Sequence, residues 1–252
     1  MSQPVVTSLH GGILGITLNR AEKRNAINAA SVELLHQFLE HADIDANVRV
    51  VLIRGAGNDF CAGADLEELL ASADQTPDQN EASAYRLGQI FERIRTLPKP
   101  VVALVQGRAL AGGAGLATAC DLVLASDTAQ LGYPEIQRGF VPAMVATLLQ
   151  RATGEKFALD LILTGRLLGA EEARVAGLIS RVVPAGELEQ EGIALAVRLA
   201  GSSATALALT KRVFFEQEGK SFAEGIRLGA RVNAVARSTP DFRTSIASFL
   251  KA

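Results

Sequence analysis

Two glycine-bearing stretches and one glutamate hold most of the chemistry this sequence offers. The first stretch, residues 101–121, reads VVALVQGRALAGGAGLATACD. Its opening run, Val101 to Val105, is wholly apolar, the pattern of a strand buried on both faces. Gln106-Gly107 breaks the run, and Gly112-Gly113-Ala114-Gly115 opens a small-residue helix. A buried strand that leads through a glycine turn to a helix N-terminus offers unpaired backbone N–H groups to an anionic oxygen. The same glycines also suit close packing of a helix on a sheet, and this stretch alone leaves both readings open. Residues 50–72 repeat the plan, with an apolar strand at Val50–Ile53, the loop GAGNDFCAGADL and a helix from Leu66. Tyr133-Pro134-Glu135 adds a carboxylate in a proline-punctuated loop.

Other chemistries are excluded by what the spacing lacks. Gly107 and Gly112 have the glycine spacing of a P-loop, but Gly113-Ala114 stands where Lys-Ser/Thr is required. Neither glycine loop matches GxGxxG, and no GxSxG elbow occurs. His10, His36 and His41 form no HExxH or other zinc spacing, so no metal site is expected. With histidine this scarce, a carboxylate is the expected acid/base group. Cys61 and Cys120 form no CxxC and read as buried, reduced thiols. The net charge of −2 leaves no footprint for nucleic acid or an anionic membrane. MSQPVV has neither a basic nor an apolar leader segment, and no long uncharged apolar run appears. The expectation is a cytoplasmic protein that engages neither membrane nor nucleic acid.

The elements that position these residues follow from periodicity. Val5–Leu9 and Ile13–Leu18 flank Gly11-Gly12 as a hairpin. Asn28 caps a helix that runs through about Ala42. Asp74–Glu81 reads as a mobile surface loop, and Tyr85–Leu97 as a helix that stops before Pro98. After Asp121 come a strand at Leu122–Ala125, helices from Val145, Glu155 and Ala170, and a strand at Leu178–Val183. From Gly186 onward only helices are predicted: Leu188–Ala200, Thr205–Glu216, Phe222–Ala236 and Asp241–Leu250. The fold class is α/β, with a core over residues 1–190 and a helical region over 191–252.

Five segments in this order resemble the crotonase (enoyl-CoA hydratase/isomerase) superfamily. They are NRAEKRNAIN (19–28), FCAGADL (60–66), VQGRALAGGAGLATACDLVLA (105–125), YPEIQRGFVP (133–142) and LTGRLLGAEEARVAGLISRVVP (163–184). The resemblance implies a crotonase-like spiral of strand-strand-helix units, with C-terminal helices that build trimers or hexamers as dimers of trimers. It implies an acyl-CoA substrate, with coenzyme A entering as part of the thioester and no tightly bound cofactor. By motif position, the N–H groups of Ala64 and Gly112 receive the thioester oxygen as it becomes an enolate. The Ala62 carbonyl receives the adenine amino group. Lys23, Arg24 and Leu66 border the coenzyme, and Phe249 and Lys251 resemble a tail that flanks it in some relatives. Ala109, Leu110, Phe140, Val141 and Met144 line the acyl pocket, with Arg138 a candidate for a carboxylated acyl group.

The departure from the hydratase pattern lies in the carboxylates. Family hydratases use one glutamate three residues beyond the second oxyanion donor and another in the Pro-Glu dipeptide. Here the second is Glu135, and the first position is Gly115. A single carboxylate suits a proton shuttle, the chemistry of the family's Δ3,Δ2-enoyl-CoA isomerases. The family's dienoyl isomerases add an aspartate where this chain has Ala143. The alternatives are a hydratase in which another carboxylate or an ordered water substitutes for the missing glutamate, and a silent acyl-CoA-binding scaffold.

Overall fold

The computed structural model describes residues 3–251. Strands β1 (Val5–His10) and β2 (Ile13–Leu18) pair antiparallel through Gly11 and Gly12, which take φ of 56° and 79° as the tight turn requires. Helix α1 (Ala29–Ile44) starts at Asn28, whose side chain accepts from the Ser31 N–H at 2.9 Å. Then follow β3 (Val50–Gly55), α2 (Leu66–Ala71), α3 (Pro77–Thr96), β4 (Val101–Val105), β5 (Arg108–Leu110) and α4 (Gly112–Ala119). The chain continues through β6 (Leu122–Ser126), β7 (Gln130–Gly132), a 3₁₀ turn at Pro134–Arg138, α5 (Ala143–Thr153) and α6 (Glu155–Thr164). Last come β8 (Leu167–Gly169), α7 (Ala170–Val175), β9 (Arg181–Val183), α8 (Leu188–Ala200), α9 (Ala204–Glu216), α10 (Phe222–Arg237) and α11 (Pro240–Phe249).

One sheet has the order β1-β2-β3-β4-β6-β9 and is parallel beyond the first hairpin. β4 is buried at every position because both sheet faces are covered. On one face Ile53, Val101, Ala103 and Val105 join the large core with Leu35, Ile90 and Leu116. On the other, Leu52, Val102, Leu104 and Leu124 meet Leu188, Leu195 and Ala196 of α8. A smaller sheet, β5-β7-β8, gathers the second strands of successive units. Single bridges Cys61↔Ala109 and Ile27↔Ala64 extend it toward the N-terminal loops. This mixed α/β spiral with terminal helices is the fold that the resemblance implies.

Two sequence expectations change, and two features add to them. Asp74–Glu81 is not a loop: α3 begins at Pro77, because Thr76 and Gln79 form a reciprocal capping box and proline is suited to the first helical position. The strand expected at Leu178–Val183 shortens to β9, since the N–H groups of Leu178 and Ile179 both turn back onto the Ala173 carbonyl. β5, β7 and β8 have three residues each, too short to carry a period. α8, which spans residue 190, packs on the sheet, and residues 201–203 separate it from α9. No single helix among the described residues is long and apolar enough to cross a membrane.

Lys211 fastens α9 to the core. Its Nζ donates to the carbonyls of Ile94 (2.7 Å) and Lys99 (3.1 Å) and to Asp121 Oδ2 (2.7 Å), which also accepts from the Val101 N–H. Arg95 stacks on the Phe215 ring at 4.1 Å and pairs with Glu218. Lys211→Met is expected to destabilise by about 1–3 kcal/mol, because it leaves the half-buried Asp121 carboxylate without its cation. Chemical denaturation checks this, and a loss under about 1 kcal/mol would show the pair to be replaceable.

Candidate active site

The two glycine loops run side by side. The Phe60 N–H donates to the Gln106 carbonyl (2.8 Å), Cys61 to Arg108 (3.0 Å), and Leu110 back to Cys61 (2.9 Å). Contact is close enough that a Cβ on Gly113 would lie 2.4 Å from the Cys61 carbonyl oxygen. Gly63, at φ 97°, sits where a Cβ would come 2.8 Å from the Ala111 Cβ and 3.7 Å from the Gly112 nitrogen. Ala64 and Gly112, the two expected donors, therefore lie at the ends of adjacent parallel segments, and both are half-buried.

The turn into α4 is strained. Ala111 has φ 52° and ψ −126°, a region that L-residues other than glycine rarely enter. Its N–H is held by the Gly132 carbonyl at 2.8 Å. α4 then begins with Gly112, whose N–H, like that of Ala64, has no backbone acceptor among the described residues. The Gly113 and Ala114 N–H groups of the first turn point the same way, so the positive end of the helix adds to the donors.

Glu135 arrives from the other side of β5. β7 pairs with β5, with Gly132 opposite Leu110, and the chain then turns through Tyr133 into the 3₁₀ turn that carries Glu135. Glu135 is only 7% exposed, and its Oε2 has no hydrogen-bond partner among the described residues. Burial pushes its carboxyl above the usual range, opposed by its own backbone N–H and by the charge of Arg138. A buried carboxylate with an open oxygen is suited to exchanging a proton with a bound molecule.

Position 115 is closed. A Cβ there would fall 2.4 Å from Val145 Cγ1 and 3.1 Å from Phe91 Cζ. Apolar side chains of α5 and α3 occupy the space that a second catalytic glutamate would need. The other two buried carboxylates are each held by an arginine: Asp59 by Arg108 and Asp65 by Arg20.

The residues expected around coenzyme A gather on one edge. The Ala62 N–H donates to the Arg24 carbonyl at 3.0 Å, and among the described residues no backbone donor uses the Ala62 carbonyl. Lys23 pairs with Glu67 at 2.6 Å on the exposed first turn of α2, so its charge is already compensated. Arg24 is exposed and makes no ion pair among the described residues. Leu66 is 57% exposed beside them. On the acyl side Leu110 and Met144 are half-buried, whereas Phe140 and Val141 stand out at 45% and 62% exposure. Phe249, at the end of α11, is exposed, and α11 packs against α9 and α10.

Several residues of this site were not legible from the sequence. Leu87 of α3 reaches within 3.5 Å of a Cβ position on Gly112, and Met144 Sδ within 3.3 Å of one on Gly88, so α3 closes the pocket. Arg20, Asn25, Asp59 and Arg108 brace the loops. The signal available was a pair of opposite charges, Asp59 and Arg108, just ahead of the bridged residues Cys61 and Ala109 of the two loops. Both cysteines are buried, and burial pushes the Cys61 thiol up to about 12. Among the described residues no three His, Cys, Asp or Glu side chains converge as metal ligands.

The chain is similar to known proteins in sequence and in fold. The family model described as enoyl-CoA hydratase/isomerase matches residues 8–252. A Thermus thermophilus protein named as an enoyl-CoA hydratase is 42% identical over 96% of this chain and 95% of its own length. The human mitochondrial enoyl-CoA hydratase domain-containing protein 3 is 32% identical over 99% of this chain and 82% of its own. The crystal structure of an enoyl-CoA hydratase from Mycobacterium smegmatis superposes with a TM-score of 0.95 at 27% identity, covering 99% of this chain and 97% of that one.

Proposed function

The chain belongs to the enoyl-CoA hydratase/isomerase (crotonase) family, and from that footing we propose that it is a Δ3,Δ2-enoyl-CoA isomerase with Glu135 as its only base. The observation that carries this reading is the pairing of one buried, open carboxylate with a position 115 filled by Val145 and Phe91.

The thioester carbonyl oxygen lies between the Ala64 and Gly112 N–H groups. Glu135 takes a proton from C2 of a 3-enoyl-CoA, and the electron pair moves onto the oxygen to give a dienolate. Each backbone donor is worth about 3–4 kcal/mol to that charge. Glu135 then returns its proton to C4 as the double bond settles between C2 and C3. No water is consumed. Coenzyme A lies along Ala62, Arg24 and Leu66, with Lys23 behind its ion pair, and the acyl chain runs past Leu110, Met144 and Phe140. The coenzyme is part of the substrate, and no other cofactor is required.

The names of the relatives favour hydration as a second reading. Liquid chromatography coupled to mass spectrometry, which resolves the two double-bond isomers as well as a hydrated product, separates the two readings when 3-enoyl-CoA and 2-enoyl-CoA are incubated side by side in D2O. Isomerisation without added water supports the proposal, and a 3-hydroxyacyl-CoA from 2-enoyl-CoA at comparable rate overturns it. Binding with no turnover of either substrate would leave only a scaffold.

Self-association belongs to the same proposal. α9, α10 and α11 contain no fully buried residue, and Phe214, Phe222 and Phe249 are 62%, 86% and 79% exposed. A groove of about 800 Å³ between α9 and α10 is lined by Val213, Phe222, Ile226 and Ala230. Apolar surface on this scale calls for a partner. Light scattering is expected to give three or six times the chain mass of 26.5 kDa, and a monomer would refute it.

A further inference from the structure

An oxyanion hole made from two loops works only if both stand in one register, and here the backbone supplies few bonds to fix it. Between residues 60–61 and 106–110 there are three; beyond Cys61 and Leu110 the segments stay in contact, Gly63 against Ala111, but their further backbone pairing goes elsewhere, Ala64 toward Ile27 and Ala111 to Gly132. Just before these bonds lies a side-chain pair of a different kind. Arg108 Nε and Nη2 donate to Asp59 Oδ1 and Oδ2, both at 2.8 Å, and the Arg108 backbone N–H donates to Asp59 Oδ1 at 3.0 Å. Asp59 is only 8% exposed, and Asn25 grips its carbonyl from the opposite side at 2.7 Å. Gly107, at φ 55°, leaves no room for a Cβ, which would lie 2.1 Å from the Asn58 carbonyl oxygen.

We propose that Asp59 and Arg108 are positioning residues that set the register of the two loops and so the separation of the Ala64 and Gly112 N–H groups. With the Arg108 side chain 37% exposed, the pair contributes little net stability, and what it offers is its geometry. The forked contact suits that task because two parallel bonds define an orientation as well as a distance. Ala64 follows Asp59 by five residues and Gly112 follows Arg108 by four, so a shift at the pair is transmitted directly along both segments. Oxyanion donors must sit about 2.7–3.1 Å from the charged oxygen, and a misplacement of about 1 Å costs on the order of 100-fold in rate.

The proposal rests on the reading that these two N–H groups bind the thioester oxygen, and the experiment separates the two claims. Acetoacetyl-CoA reports on the hole, because its bound enolate absorbs in the near ultraviolet, and coenzyme A alone reports on the rest of the site. Arg108→Gln is expected to lower kcat about 10- to 100-fold and to weaken the enolate band, with the Kd of coenzyme A unchanged within twofold. Arg108→Lys, which keeps the charge but not the fork, should recover part of both losses. If Arg108→Gln does not fold, Arg108→Lys and Asp59→Asn must show the same split. A kcat within twofold of wild type, or a loss that follows weaker coenzyme A binding, overturns the positioning role. No enolate band in the wild type would overturn the oxyanion reading itself and this proposal with it.

Discussion

Glu135→Gln is expected to reduce isomerase turnover by about 10³-fold while raising thermal stability at neutral pH. The two effects share one cause. Glu135 is buried with an oxygen left open, and burial raises its carboxyl above the usual range. A carboxyl raised on folding favours its protonated form in the native state. The stability it gives is complete below the unfolded value of ~4.3 and is lost as pH rises through the higher folded value. At neutral pH the ionised group opposes folding, and glutamine removes that opposition. Calorimetry should show a higher Tm for the variant at neutral pH and no advantage in acid. The raised carboxyl also moves the acid limb of kcat/KM above the ordinary glutamate range, because the base must be ionised to accept the C2 proton. Full turnover in the variant would remove Glu135 from the mechanism, whereas a lowered Tm at neutral pH would contradict its environment alone.

Gly115→Glu is expected to fail as a simple restoration of the two-glutamate pattern. The new Cβ would lie 2.4 Å from Val145 Cγ1, and Phe91 Cζ would crowd it at 3.1 Å. Overpacking of this kind costs about 1–3 kcal/mol, and a carboxylate forced into the same apolar space adds to that. The single variant should therefore unfold at lower temperature and hydrate 2-enoyl-CoA no faster than wild type. Adding Val145→Ala removes the closest clashing atom. The double variant should regain stability relative to Gly115→Glu and acquire measurable hydration of crotonyl-CoA. Hydration by Gly115→Glu alone, at wild-type stability, would mean that position 115 is open. If the wild type already hydrates at the rate of the double variant, chemistry with a single carboxylate is refuted.

Much of the framework was written locally. The apolar runs at Val50–Ile53 and Val101–Val105 specify buried strands because parallel strands covered on both faces need apolar side chains on both. Asn28 and Gly11-Gly12 specify a helix start and a hairpin through their own backbone chemistry. Asp74–Glu81 reads as a loop on polarity, but the Thr76–Gln79 capping box, also present in the sequence, starts α3 at Pro77. The three-residue strands β5, β7 and β8 had no period to reveal them; neighbours supply their hydrogen bonds.

By itself the sequence determined which groups are available: two glycine loops with backbone donors, a glutamate at 135 and none at 115. Those facts follow from residue identity and spacing, and no later folding alters them. The tertiary structure alone decided what the groups face. Val145 and Phe91 close position 115 from separate helices, the Gly132 carbonyl holds Ala111 in a strained turn, and Arg108 clasps Asp59 across 49 residues of chain. Each is a contact between segments distant in sequence, whose partner is chosen by packing rather than by local pattern. The missing carboxylate was legible from the start; that its space is already filled was not.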